Sequence, residues 1–145
     1  MSKLRVERAL DYPADTVWAL IGDFGGLHRW HPLVQRLDLS WEGRIRTLHF
    51  HDGSRVVERL ETRNDPAHRY IYAMVDGALP LHDCRAILQV QGRDDGCLVS
   101  WSAVFEPLGV STHVARGQLR RLYTIGLETL GDALQQPGAC SPEPS

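Results

Sequence analysis

The chain has 145 residues, of which 43% are hydrophobic and 23% charged, a composition typical of one globular domain. Sixteen basic residues against eighteen acidic ones give a formal charge of −2, and no segment concentrates lysine and arginine as a nucleic-acid-binding surface would. The first residues lack the apolar stretch of a secretory signal and no apolar run is long enough to span a bilayer, so we expect a soluble, cytoplasmic protein that binds neither nucleic acid nor membrane.

The N-terminal segment predicts a strand followed by two short helices. Apolar and charged residues alternate over residues 4–10, which is typical of a half-buried strand. Pro13 suits the first turn of a helix, and apolar residues recur at helical spacing over about 13–23. A second short helix or turn covers about 27–30, and Pro32 prevents its continuation because proline lacks an amide donor.

The middle of the chain predicts an antiparallel meander. Runs of alternating polarity are separated by turn sequences at the spacing of consecutive hairpins. The six predicted strands cover about residues 33–41, 43–51, 54–63, 68–76, 83–92 and 97–106. The Asp52-Gly53 pair favours a two-residue type I′ turn, since both central residues of that turn need positive φ.

The C-terminal part predicts one long amphipathic helix over about 112–136, because apolar residues recur every three or four positions without an intervening proline. Pro137 ends this helix, and we expect the tail 137–145 to be disordered. The element order of strand, two helices, six strands and long helix predicts one α+β domain over residues 1–136. Its curved sheet of about seven antiparallel strands would wrap around the last helix, since no other element remains to cover the apolar face.

Several motifs resemble those of one protein superfamily. The segment YPADTVWALIGDFGGL (12–27), followed by Trp30-His31-Pro32, resembles the opening of the START/polyketide-cyclase superfamily, also called SRPBCC, particularly its bacterial polyketide cyclase/dehydrase-like branch. Later motifs resemble the same branch, namely Asp52-Gly53, Val57-Glu58-Arg59-Leu60, Arg69-Tyr70-Ile71-Tyr72, Val99-Ser100-Trp101 and Tyr123-x-x-Gly126-Leu127. The resemblance extends over about residues 3–135.

This resemblance implies a helix-grip fold with a deep, mostly apolar cavity between the sheet and the long helix. Members of the superfamily bind lipids, hormones, polyketides or other small hydrophobic molecules, and a minority catalyse cyclisation or dehydration. They share no catalytic set, so candidate site residues have to come from this chain's own chemistry.

The register of the sheet decides which side chains face such a cavity. With a two-residue turn at Asp52-Gly53, Thr47 lies opposite Glu58 and His49 opposite Val56, whereas a shift of one residue would exchange the faces. A four-residue loop at 64–67 extends the register to the next strand. The face that we place inward carries Ile45, Thr47, His49, Val56, Glu58, Leu60, Ile71, Ala73 and Val75. The outward face carries Arg46, Leu48, Phe50, Val57, Arg59, Glu61, Tyr70, Tyr72 and Met74. In the last hairpin, a loop at 93–96 turns inward Cys84, Ala86, Leu88, Val90, Val99, Trp101, Ala103 and Phe105.

Glu58, His31 and His49 are candidates for acid-base chemistry or for orienting a ligand. Glu58 is the first, because a carboxylate on the inner face of a sheet is costly unless it is paired, hydrogen-bonded or neutral. Thr47 and His49 on the facing strand are its expected partners, and the alternative is a structural carboxylate bonded to the backbone or to an arginine. His31 ends the short second helix, where it would exchange a proton with a ligand or else be a solvated residue at a helix end.

The expected ligand-binding wall is mostly apolar. Gly126 on the inner side of the long helix either leaves space for a ligand or allows close packing, because glycine in a helix costs about 1 kcal/mol relative to alanine. The histidine pairs at 28 and 31 and at 49 and 51 lack a third ligand at a recognisable distance, so we predict no metal. The predicted wall consists of Trp30, Thr47, Val56, Ile71, Leu88, Trp101, Tyr123 and Gly126.

The sequence therefore predicts a domain that binds a small hydrophobic, aromatic or polyketide-like molecule without a cofactor. In this interpretation catalysis is optional, and an enzyme would have cyclase, dehydratase or isomerase activity through a carboxylate–imidazole pair. The alternative is a non-catalytic carrier or a homodimeric interaction module. Its association patch on the outer face would consist of Leu48, Phe50, Tyr70, Tyr72 and Met74.

Overall fold

The computed structural model describes residues 1–135, and their elements follow the predicted order. The N-terminal elements are β1 (Ser2–Leu10), α1 (Ala14–Ile21) and a 3-10 helix (Phe24–Arg29). They are followed by β2 (Val34–Ser40), a short 3-10 helix (Trp41–Gly43), β3 (Ile45–Phe50), β4 (Arg55–Asn64), β5 (Arg69–Gly77), β6 (Leu81–Arg93), β7 (Gly96–Pro107) and α2 (Thr112–Gln135). The predicted end of the domain at 136 and the predicted tail 137–145 lie outside the described residues.

All seven strands form one antiparallel sheet in the order β1-β7-β6-β5-β4-β3-β2, and its inner face encloses α2. The helix contributes a buried stripe that includes Leu119, Tyr123 and Leu130, at the three- and four-residue spacing seen in the sequence. The predicted α+β arrangement of a curved sheet around a long C-terminal helix is thus confirmed. Within the described part of the chain, neither helix is long and apolar enough to cross a bilayer.

The hairpin between β3 and β4 differs from the prediction by one residue. Its loop has three residues, 51–53, because the Phe50 amide donates to the Ser54 carbonyl at 2.9 Å. Gly53 supplies the single left-handed position, with φ of +89°, and the Asp52 carboxylate accepts from the Ser54 amide at 2.9 Å. The predicted two-residue type I′ turn is therefore wrong, and Arg46 rather than Thr47 lies opposite Glu58.

The observed register thus differs from the predicted one at β3–β4, and it differs in a similar way between β4 and β5. As a result, the side chains of β3 and β5 lie on the face of the sheet opposite to the predicted one. Leu60 pairs with Tyr72, one residue from the predicted partner, while β4 keeps Val56 and Glu58 inward as predicted. The predicted inward orientation of Thr47, His49 and Ile71 is wrong for this reason. The side chains buried in their place are Arg46, Leu48, Tyr70 and Tyr72.

The hairpin between β6 and β7 has the predicted register. Gly92 pairs with Cys97 and Leu88 with Trp101, so the eight predicted inward residues are all buried. The predicted association patch is wrong, because Leu48, Tyr70 and Tyr72 are buried and the other two members pack against the core.

Candidate functional site

A buried ion pair lies on the inner face of the sheet, where the register places Arg46 opposite Glu58. The Arg46 Nε donates to Glu58 Oε1 at 2.8 Å, and Nη1 donates to the Phe24 carbonyl at 3.0 Å and to the Tyr70 hydroxyl at 3.3 Å. Its guanidinium carbon lies 4.1 Å from the centre of the Phe24 ring. Of the two interpretations of Glu58, the carboxylate bonded to an arginine is the one observed.

Burial and pairing act in opposite directions on the Glu58 carboxylate. Burial raises its pKa because the charged form loses hydration, and the Arg46 guanidinium opposes that rise. Arg46 itself has no exposed surface. Each of these charges is therefore tolerated in the interior because the other is present.

His31 links the end of the first 3-10 helix to α2. Its ring is 1% exposed; Nε2 lies 2.8 Å from the Leu122 carbonyl, and the Leu33 amide donates to Nδ1 at 3.3 Å. A carbonyl acceptor on one side and an amide donor on the other assign the proton to Nε2 of a neutral ring. Burial lowers the pKa of His31 to about 4. The alternative of a solvated helix-end histidine is therefore wrong.

Gly126 provides room for that imidazole. A Cβ at this position would lie 2.7 Å from His31 Cδ2 and 3.2 Å from the Trp101 ring. The glycine thus serves close packing, and the space that it leaves is filled by protein side chains.

The predicted aromatic wall residues contact one another. Trp101 stacks on Tyr123 with ring centres 4.2 Å apart and planes 9° apart, and its Nε1 donates to the Tyr72 hydroxyl at 2.9 Å. Trp30 also packs against Trp101, with ring centres 5.6 Å apart. Leu88 is buried in the same core.

Little free volume remains between sheet and helix. The inner void measures about 10 Å³, which is enough for one water molecule at most. The expectation of a deep, open cavity is therefore wrong, because the stacked aromatic rings and the ion pair fill that space. The walls of this inner void include His31, Leu48, Glu58, Tyr72 and Trp101.

An open groove of about 300 Å³ lies directly outside the inner void. It runs between α2, the β3–β4 turn and the segment before β6. Phe50 and Leu122, both half-buried, line the void and the groove alike, and we call these two residues the partition. We call this the mouth groove; its main lining residues are Leu33, Phe50, Val56, Leu79, Arg121 and Leu122.

A second depression, of about 400 Å³, lies on the face of the sheet that points away from α2. It is lined by residues that include Ile87 and Val104 on neighbouring strands. None of its lining residues also lines the inner void.

The remaining predicted site residues lie outside this region. His49 is on the outer face, where its Nε2 is 2.9 Å from Asp38 Oδ2, and Thr47 and Ile71 share that orientation. Among the described residues, no cluster of three or more histidine, cysteine or acidic side chains is placed to hold a metal ion. Sequence reasoning missed Arg46, Phe50 and Leu122; the expected inward carboxylate was the only signal that a buried cation had to face it.

Comparison with known proteins finds one matching family model and several solved structures of similar fold. A family model described as polyketide cyclase / dehydrase and lipid transport matches residues 1–135. The protein XoxI from Bacillus cereus is 31% identical over 92% of this chain and 96% of its own, with a TM-score of 0.89. A protein from Thermobifida fusca is 33% identical over 97% of this chain and 95% of its own, with a TM-score of 0.77.

A more distant likeness concerns the fold alone. Ara h 8.0201 is 15% identical over 92% of this chain and 97% of its own, with a TM-score of 0.72. The predicted helix-grip fold is thereby confirmed. No curated protein matches the chain.

Proposed function

Because the chain belongs to the polyketide cyclase, dehydrase and lipid transport family, as its motifs predicted, we propose that it binds a small hydrophobic molecule in the mouth groove. Family and fold support a ligand-binding domain in general. The apolar part of the ligand would extend into the inner void once the Phe50 and Leu122 side chains move apart.

The partition shared by groove and void is the observation that carries this proposal. A volume of about 300 Å³ is at the lower end for small-molecule sites, and joining it to the interior would deepen it. Phe50 ends β3 beside the turn and Leu122 is only half-buried on α2, so both can change rotamer without breaking a hydrogen bond of the backbone.

The chemistry behind the partition favours an aromatic or polyketide-like ligand. Trp101 and Tyr72 both line the inner void. Aromatic side chains attract other rings through offset or edge-to-face packing, which contributes about 0.5–1.5 kcal/mol beyond the area buried.

Binding without proton transfer agrees best with the state of the polar residues. Both nitrogens of His31 are hydrogen-bonded and its pKa lies near 4, while Oε1 of Glu58 is bonded to Arg46. His49 is on the other face of the sheet. Between a catalytic domain and the alternative of a non-catalytic carrier, we therefore propose the carrier.

The experiment measures the binding of an uncharged probe, 2-naphthylmethanol, to two variants that each carry a tryptophan substitution on α2. Leu122→Trp fills the partition, whereas Ile125→Trp changes a half-buried aliphatic residue that does not line the groove. We expect saturable binding to the wild type, at least a tenfold loss for Leu122→Trp and little change for Ile125→Trp, measured by calorimetry on variants shown to be folded. Absence of saturable binding, or equal affinity in both variants, would contradict the proposal.

A further inference from the structure

The rim of the mouth groove on α2 carries the cationic side chain of Arg121. Arg121 is exposed and makes neither an ion pair nor a side-chain hydrogen bond within residues 1–135. Arg85 on β6, by contrast, is paired with Glu61. Among the described groove-lining residues, Arg121 is the only cationic one.

The opposite rim carries a carboxylate that is already engaged. Asp52 Oδ1 accepts from the Ser54 amide at 2.9 Å and from the Ser54 hydroxyl at 2.6 Å. These hydrogen bonds lower the pKa of Asp52 and hold its side chain in the turn. The two rims thus have opposite charge across an apolar floor, and the cationic rim is the one on α2.

A second polar group stands beside the arginine. Gln118 precedes Arg121 by three positions on α2, so both side chains project from the same side of the helix, and both line the groove. The planar guanidinium fork of arginine matches a carboxylate in a bidentate arrangement, and an amide adds a further donor.

We propose that the ligand is an amphipathic carboxylate, with its anionic head on Arg121 and Gln118 and its apolar body along the floor of the groove. This inference rests on the proposed function and assigns the chemical class of the molecule. The head lies at the solvent-exposed rim, so its charge keeps most of its hydration and the ion pair favours orientation as much as affinity.

The test uses two probes with the same apolar body, 2-naphthoate and uncharged 2-naphthylmethanol. For the wild type we expect 2-naphthoate to bind roughly two- to fivefold more tightly, which is the effect of an ion pair at a solvent-exposed rim. Arg121→Gln should remove this preference, because it weakens the binding of 2-naphthoate more than the binding of 2-naphthylmethanol. Arg120→Gln, a neighbouring exposed arginine outside the groove lining, should keep the preference.

A substitution on the opposite rim should change the affinity for 2-naphthoate in the opposite direction. Asp52→Asn removes a negative charge and keeps an oxygen that accepts in the turn, so it should increase the affinity for 2-naphthoate alone. Equal wild-type affinities for the two probes, or a preference that survives in Arg121→Gln, would overturn the assignment of the carboxylate. Failure of both probes to bind would instead contradict the proposed function.

Discussion

At the scale of single residues, Gly126 marks a tightly packed contact of α2 with His31 and Trp101. Gly126→Ala gains about 1 kcal/mol of helix propensity but forces His31 and Trp101 aside, so we expect a net loss of roughly 1–3 kcal/mol in the free energy of unfolding. Gly117→Ala on the same helix meets nothing within 4 Å and should stabilise by roughly 0.5–1 kcal/mol. Urea denaturation compares the two; a Gly126→Ala variant at least as stable as the wild type would refute the close packing.

His31 makes stability depend on pH in a defined direction. Its pKa falls from 6.5 to about 4 on folding, so below pH 6.5 the unfolded state takes up the proton and the folded state does not. The contribution of the neutral His31 ring to the free energy of unfolding is fully present above pH 6.5. It is lost as the pH falls towards 4, by about 3 kcal/mol in total.

The measurement that tests this is the free energy of unfolding of the wild type, His31→Gln and His51→Gln between pH 7.5 and about 4. His31→Gln should be less stable at pH 7.5, but its deficit should shrink as pH falls, because the variant has no proton to take up there. His51→Gln, on an exposed loop, should follow the wild type. A deficit that stays constant with pH would mean that burial does not hold the His31 ring neutral.

At the scale of elements, the Arg46–Glu58 pair joins β3 to β4 and, through Phe24, to the first 3-10 helix. Arg46→Met leaves a buried carboxylate without its counter-ion, so we expect a loss of roughly 3–5 kcal/mol in unfolding free energy. The double variant Arg46→Met/Glu58→Leu removes both charges and should recover at least half of that loss. Thermal and urea unfolding of both variants test this, and a double variant less stable than Arg46→Met would exclude mutual charge compensation.

The same two strands show where sequence reasoning reached its limit. Alternation locates a strand, but its side-chain faces depend on the exact loop length, since a slip of one residue exchanges them. At β6–β7 the loop at 93–96 gave the register, and the uniformly apolar inward set agreed with it. At β3 one of the buried side chains is Arg46, and a charged residue at an inward position cannot be distinguished by polarity from an outward one.

At the scale of the whole molecule, the element order, the curved sheet and the long helix could be predicted because apolar periodicity and proline positions specify them locally. The site was predicted only in part. Glu58, His31, Trp101 and Tyr123 come together in the interior, yet the size of the space between them depends on side-chain packing that no local pattern records.

The most direct test of the account is whether a bound apolar molecule crosses the partition. Intermolecular NOEs from 2-naphthylmethanol to methyl groups distinguish the sites, because Val56 lines the mouth groove, Leu48 lines the inner void, and Ile87 lines the depression on the outer face of the sheet. We expect NOEs to both Val56 and Leu48. NOEs confined to Ile87 and its neighbours would contradict binding across the partition.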